Sequence, residues 1–314
     1  MKSFLLRLSL FLLPIAILAV AGEVYVRSLP NSYRLKGEWM RQNADSVEVL
    51  ILGNSHAYYG IRPQDMQGVA FNLSNVSQVA SYDYALLLKY TPMPRLKHII
   101  LTCDNSYLFD QPLEQTEPYR CAYYTIYMGV GPHSRWGLYG LEILQFKGFL
   151  KKIKAYREGV YAMCDSMGWG SDYKSSLSTF DESDTTVVNM VLEKHTCKDW
   201  LSYEANARQV EQIARLCKQQ GIRLTVVQTP VCKAYNEGIP ERQRQAILQL
   251  MNHLKNTYGT TVLDYSEDSR FSGTDFFDAD HLSDVGAEKF TKILCQESPT
   301  LRRAANPTSP AGGL

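Results

Sequence analysis

The body of the chain alternates short apolar runs with longer stretches in which apolar residues recur every three or four positions. Val47-Glu48-Val49-Leu50-Ile51-Leu52 is compact, rich in β-branched residues and stopped by Gly53, which predicts a buried strand entering a turn. Val69 to Leu73 and His98 to Thr102 predict a second and third strand, with a helical pattern from Tyr84 to Tyr90 between them. Arg223 to Gln228 and Thr261 to Asp264 predict the fourth and fifth. A helix precedes each of these last two. Glu204 to Gln220 puts Val210, Ile213, Leu216 and Cys217 on one face and is closed by Gly221; Glu241 to Tyr258 does the same with Ile247, Leu250, Met251 and Leu254 before Gly259. Val285 to Cys295 predicts a closing helix. This succession predicts an α/β fold, a flavodoxin-like three-layer sandwich around a five-stranded parallel sheet. Its ligands belong beyond the carboxyl ends of the strands.

Two regions break the rhythm. From about 106 to 200 the chain is rich in Tyr and holds Trp136, Trp169 and Trp200, which reads as an insertion capping the active edge of the sheet. Aromatic rings there suit either core packing or stacking on sugar faces. Within it, Gln145 to Arg157 interleaves Lys147, Lys151, Lys152, Lys154 and Arg157 with Phe146, Phe149, Leu150 and Ile153. That pattern fits a membrane-surface helix or, more simply, a solvated face over a buried stripe. At the N-terminus, Lys2 and Arg7 precede an apolar run from Leu8 to Ala21 that resumes after Glu23. Ala19-Val20-Ala21 suits cleavage of a secretory signal, whereas the Tyr25 and Arg27 exit favours an uncleaved membrane anchor over 1–27. Either fate puts the domain over 28–297 outside the cytoplasm. The segment 298–314, with three prolines and Gly312-Gly313, reads as a disordered tail.

With 45% hydrophobic residues among 314, the chain can fill a sizeable core, and a net charge of +1 leaves no electrostatic footprint for nucleic acid. Seven cysteines without a C-x-x-C spacing argue against a zinc ribbon or a disulfide-stapled scaffold. His56, His98, His133, His195 and His253 lack metal-ligand spacing, so no metal or other cofactor is expected.

The candidate chemistry lies at two distant points. Ser55 follows the first strand in Gly53-Asn54-Ser55-His56, where a tight turn can present a nucleophile at the sheet edge. A serine hydroxyl needs a base to take its proton and a carboxylate to orient that base. Asp278-Ala279-Asp280-His281 supplies both, three residues apart, so one turn can set Asp278 against His281. The elbow G-x-S-x-G is not met, because Ala57 stands where its second glycine belongs. Asn54 and Ser55 also suit a plain helix cap, and Asp278 a turn cap. Asn72-Leu73-Ser74 and Asn75-Val76-Ser77 match the glycosylation sequon but sit against a strand end, so glycans are not expected there.

Gly53-Asn54-Ser55-His56 and Asp278-Ala279-Asp280-His281, the latter continued by Leu282-Ser283, Gly286-Ala287 and Phe290, resemble the first and last blocks of the SGNH (GDSL-type) hydrolase superfamily. The likeness covers roughly 46–105 and 205–295. It implies Ser55 as nucleophile, His281 as base and Asp278 as its partner. It also implies an oxyanion hole formed by the amides of Ser55 and Ser77, with Ser77 at a family glycine position, and by the side chain of Asn105 in Cys103-Asp104-Asn105-Ser106. Membrane-anchored members with similarly loose middle blocks include relatives of the alginate O-acetylation proteins and of the D-alanyl lipoteichoic acid transfer protein. The resemblance thus implies an esterase or O-acetyltransferase acting on a glycan or small ester, associated with envelope polysaccharide machinery. The alternative is a catalytically inactive glycan-binding or assembly subunit, which the worn middle blocks and the aromatic insertion would suit.

Overall fold

A computed structural model of the protein describes residues 1–131, 137, 139–159, 163–298 and 300–301. Strands β1 (Val49–Leu52), β2 (Ala70–Asn72), β3 (His98–Thr102), β4 (Arg223–Gln228) and β5 (Thr261–Asp264) form one sheet in the order β2-β1-β3-β4-β5, with every pair parallel. This is the flavodoxin-like order, whose switch point lies between β1 and β3. There Val49 is in register with His98 and Leu52 with Leu101.

Alternation along each strand divides the apolar residues between two cores. Leu50, Leu52, Ile99, Leu101, Leu224 and Val226 face one side; Val49, Ile51, Ile100 and Val227 face the other. A parallel strand buried on both faces must be apolar throughout, which explains the unbroken runs. The first core is covered by α2 (Ser32–Asn43), α4 (Ala80–Tyr90), α5 (Asn105–Phe109), α8 (Trp200–Gln220) and α9 (Glu241–Tyr258); the second by α3 (Ser55–Gly60), α7 (Thr185–His195) and α10 (Asp284–Glu297). Helices α8 and α9 stop where Gly221 and Gly259 adopt left-handed backbone, at φ +67° and +72°. Helix α4 starts four residues before the apolar pattern, because its first turn buries Ala80, Tyr82 and the charged Asp83.

Much of the aromatic insertion is core. Tyr107, Tyr124 and Met128 are fully buried, and Tyr124 packs on Tyr33 of α2 and Tyr82 of α4. Trp169 is buried with its indole N–H bonded to the Tyr59 carbonyl, while Trp136 and His133 lie outside the described residues. The packed chain also runs past the expected domain end at 297. Leu301 is buried in the second core, and its carbonyl accepts from the Gln67 amide. The rest of the expected disordered tail, 302–314, falls outside the described residues.

At the other end, α1 (Lys2–Ser28) is long and apolar enough to cross a membrane, and its apolar window is uncovered by the rest of the protein. The basic stretch in the insertion forms α6 (Phe146–Glu158).

Candidate active site

Position 53 has φ +124°, and a side chain there would overlap the Thr102 hydroxyl, so only glycine lets β1 turn so sharply beside β3. Asn54 then caps α3, its Oδ1 accepting from the His56 amide at 3.0 Å, and Ser55 occupies the first position of that short helix. The Ser55 hydroxyl meets His281 Nε2 at 2.8 Å. On the other ring nitrogen, His281 Nδ1 lies 2.9 and 3.1 Å from the two oxygens of Asp278. Asp278 also accepts from the backbone amides of Asp280 and His281, so it caps the turn and holds the imidazole at once. Serine, imidazole and carboxylate are thus joined at the carboxyl edge of the sheet although 226 residues separate the first two.

Ser77, placed on the loop after β2, is the one non-glycine residue with positive φ among the described residues, at +59°. The backbone there keeps a left-handed turn that favours glycine, now carried by serine. Asn105 departs from expectation. Its amide nitrogen donates to the His195 carbonyl at 3.2 Å and its oxygen accepts from Gln243 Nε2 at 2.6 Å. Its side chain thus fastens α7 to α9, with one of its two N–H donors and its oxygen engaged there. The reason is local: Asp104, not Asn105, caps α5, and one helical step turns the next side chain by about 100°.

Asp104 points instead into a buried charge network that the sequence patterns do not reveal. His56, at 3% exposure, lies between two carboxylates, with Nδ1 2.7 Å from Asp104 and Nε2 3.0 Å from Asp280. Asp280 is the hub. Its other oxygen lies 3.2 Å from His281 Nδ1, and the first also lies 3.4 Å from His195 Nδ1, which bonds Tyr235 at 2.9 Å. His281 is therefore flanked by two carboxylates, one half-exposed and one buried. His56 is thus buried and hydrogen-bonded to Asp280, whose other oxygen faces His281.

The electrostatics follow from these contacts. Burial pulls the His56 pKa down, but the negative charge of Asp104 against Nδ1 and the hydrogen bond to Asp280 at Nε2 outweigh it and push it up to about 9. Burial acts likewise on His281, and Asp278 and Asp280 together raise it well above the ordinary histidine value. His195 behaves oppositely: burial dominates and lowers it to about 4, so that ring is neutral. Ligand atoms of His56, Asp280 and His281 lie within 4.8 Å of one another, a spacing a cation could use. In this arrangement those atoms are already spent on one another.

Two further buried groups brace the site. Asp83 accepts from the Gly53 amide at 3.1 Å, from the Tyr107 hydroxyl at 2.6 Å and from Gln78, tying the Gly53-Asn54-Ser55 turn to the loop after β2 and to α5. Burial raises its pKa to about 6 against these donors. From α2, Lys36 donates to the Ser74 carbonyl and Ser32 to Asn75 at 3.0 Å. Asn72 and Asn75 are at most 1% exposed, so neither sequon can receive a glycan in the folded protein. One wall of the site comes from the insertion. Tyr173 stacks between Tyr59 and Phe277 at 3.6 and 3.9 Å, and meets His281 edge-on at 5.5 Å.

No protein-family model matches the chain, and no curated protein matches it.

Proposed function

We propose that this protein is a serine-dependent esterase or O-acyltransferase of SGNH type, held at a membrane by α1 with its α/β domain outside the cytoplasm. It would act on acyl esters, acetyl foremost, of an envelope glycan. The observation that carries this is the Ser55–His281–Asp278 chain, with 2.8 Å from Oγ to Nε2 and 2.9 Å from Nδ1 to Oδ1. The first separation suits proton transfer as the serine attacks, and the second lets the carboxylate orient the imidazole and stabilise its charge.

In the proposed reaction, Ser55 Oγ adds to the ester carbonyl carbon while its proton passes to His281 Nε2. The tetrahedral oxyanion collapses, the ester C–O bond breaks, and the proton on Nε2 moves to the departing alcohol. Acyl-Ser55 is then attacked by water, giving a free acid, or by a sugar hydroxyl, giving a new ester. The same histidine takes the attacker's proton and returns it to Ser55. Asp278 and Asp280 hold the imidazolium that forms in each half. The ring stack of Tyr59, Tyr173 and Phe277 beside His281 supports a saccharide substrate, since such faces pack on the apolar sides of sugars.

The test is turnover of a small activated acetate ester, with and without a sugar acceptor, by the protein and by Ser55→Ala. Ser55→Ala should lose turnover while keeping its thermal transition; retained turnover would refute the nucleophile. A second reading, a glycan-binding or assembly subunit without catalysis, is favoured by the engagement of Asn105, an expected oxyanion donor, between α7 and α9. Stoichiometric labelling of Ser55 by a serine-directed phosphonate would exclude that reading. Saccharide binding without labelling would support it.

A further inference from the structure

The last turns of α1 are built into the domain. Glu23 is buried and accepts from the backbone amides of Glu142 and Ile143 at 3.1 and 2.9 Å. Arg27 donates to the Gly140 carbonyl at 2.8 Å, and Val26 is fully buried. At Gly22 an added Cβ would touch Phe149 of α6 and Ile143 at 3.6 and 3.7 Å. Thus α6 and the turn before it sit beside the Gly22–Arg27 level of α1.

That level can be placed relative to a bilayer. The 27 residues of α1 span roughly 40 Å at about 1.5 Å each, against a hydrocarbon core of roughly 30 Å. Counted from Phe4, about 20 residues bring the far boundary of the core to the neighbourhood of Glu23. Everything packed on Gly22 to Arg27 is then in the headgroup layer.

Side chains of α6 match that position. Its inner face is set by Gly148, against Tyr119, and by Lys152, whose ammonium bonds Glu142 at 2.9 Å. On the opposite face Phe146 and Leu150, four residues apart, are 62% and 48% exposed, and Leu141 and Leu144 are exposed just before them. Lys147, Lys151, Lys154 and Arg157 are exposed around these apolar groups. A helix washed by water alone gains nothing from turning Phe and Leu outward, whereas one lying in the headgroup layer buries them among acyl chains and leaves lysines to anionic phosphates.

We propose that α6 and the turn Leu141–Leu144 form a second membrane contact, seated on an anionic lipid surface beside the exit of α1 and fixing the orientation of the domain. This rests on α1 spanning the bilayer and not on any chemistry at Ser55. The test uses the full chain in vesicles of phosphatidylcholine and phosphatidylglycerol, with benzoylphenylalanine replacing Phe146, Leu150, Leu12 or Leu248 in turn. Leu12 lies within α1; Leu248 is exposed on α9, beside the sheet edge formed by β5. Lipid adducts at 146 and 150 as well as 12, and none at 248, are expected. Adducts at 12 with none at 146 and 150, or adducts there to a second protein chain instead of lipid, overturn the docking while leaving the anchor. No lipid adduct at 12 overturns the spanning helix, and the docking with it.

Discussion

Replacing His56 by Gln probes the charge network directly. In the folded protein the ring lies between Asp104 at 2.7 Å and Asp280 at 3.0 Å, all three buried, so its loss leaves two carboxylates facing an uncharged amide. Breaking a buried pair by removing one partner costs about 3–5 kcal/mol. Linkage gives a similar figure. A rise from the ordinary histidine value of 6.5 to about 9, at about 1.36 kcal/mol per pKa unit, amounts to roughly 3 kcal/mol. Because the folded pKa lies above the unfolded one, this contribution is complete below about pH 6.5 and is lost as pH rises through about 9. The assay is reversible unfolding of the full chain in mild detergent, with wild type and His56→Gln compared from pH 6 to pH 10. At pH 6 the variant should be less stable by about 3–5 kcal/mol, a fall of roughly 6–15 °C in Tm. By pH 10 the gap should shrink by about 3 kcal/mol. Comparison of the two curves removes, to first order, titrations they share, including those of Lys36 and Asp83. A gap that stays constant across this window would mean that His56 is neutral in the fold, and the network would have to be redrawn.

In the proposed reaction His281, whose pKa both carboxylates raise, must lose a proton before it can act as base, so kcat/KM should climb with pH through an acid limb displaced to the alkaline side of ordinary histidine. Asp280→Asn removes one carboxylate and should move that limb to lower pH; a limb that stays in place would remove Asp280 from the tuning of the base. Asn105→Ala should cost about 1–3 kcal/mol of stability through the bonds to His195 and Gln243, with kcat changed less than about tenfold. A loss of about a hundredfold in kcat at unchanged KM would instead make Asn105 an oxyanion donor. Gly53→Ala meets both a left-handed backbone and the Thr102 hydroxyl, and should lose more than about 3 kcal/mol in thermal unfolding; a loss below about 1 kcal/mol would show that the turn relaxes freely.

The sheet is legible in the sequence because both faces of a parallel strand are buried. Leu50 and Leu52 serve one core, Val49 and Ile51 the other, and the result is an uninterrupted apolar run with sharp ends. Asp278 and His281 are legible for a related reason: their contact is made within one turn, so spacing alone specifies it. The start of α4 is hidden, since its first turn buries Asp83, a charge that no apolar periodicity marks. Leu301 is hidden as well, a single apolar residue in a polar stretch that is buried only because its neighbours bring it back to the second core. Each tyrosine of the insertion reads first as core, and a sugar platform only as a cluster; packing alone separates Tyr124, fully buried, from Tyr173, which stands beside His281.

The charge network was beyond sequence reasoning for a different cause, and Asp104 and Asn105 show it. Both are polar, adjacent and at the carboxyl end of β3, so either one suits a role near Ser55. What separates them is the step from cap to first helical residue, which turns one toward His56 and the other toward Gln243. With Asp104 turned inward, the His56 ring stands between two carboxylates, Asp104 and Asp280, the second shared with His281. Cys103-Asp104-Asn105-Ser106 thus turns Asp104, not Asn105, toward the buried imidazole of His56. A site that holds a cation at position 56 needs a carboxylate, not an amide, facing inward at the end of β3.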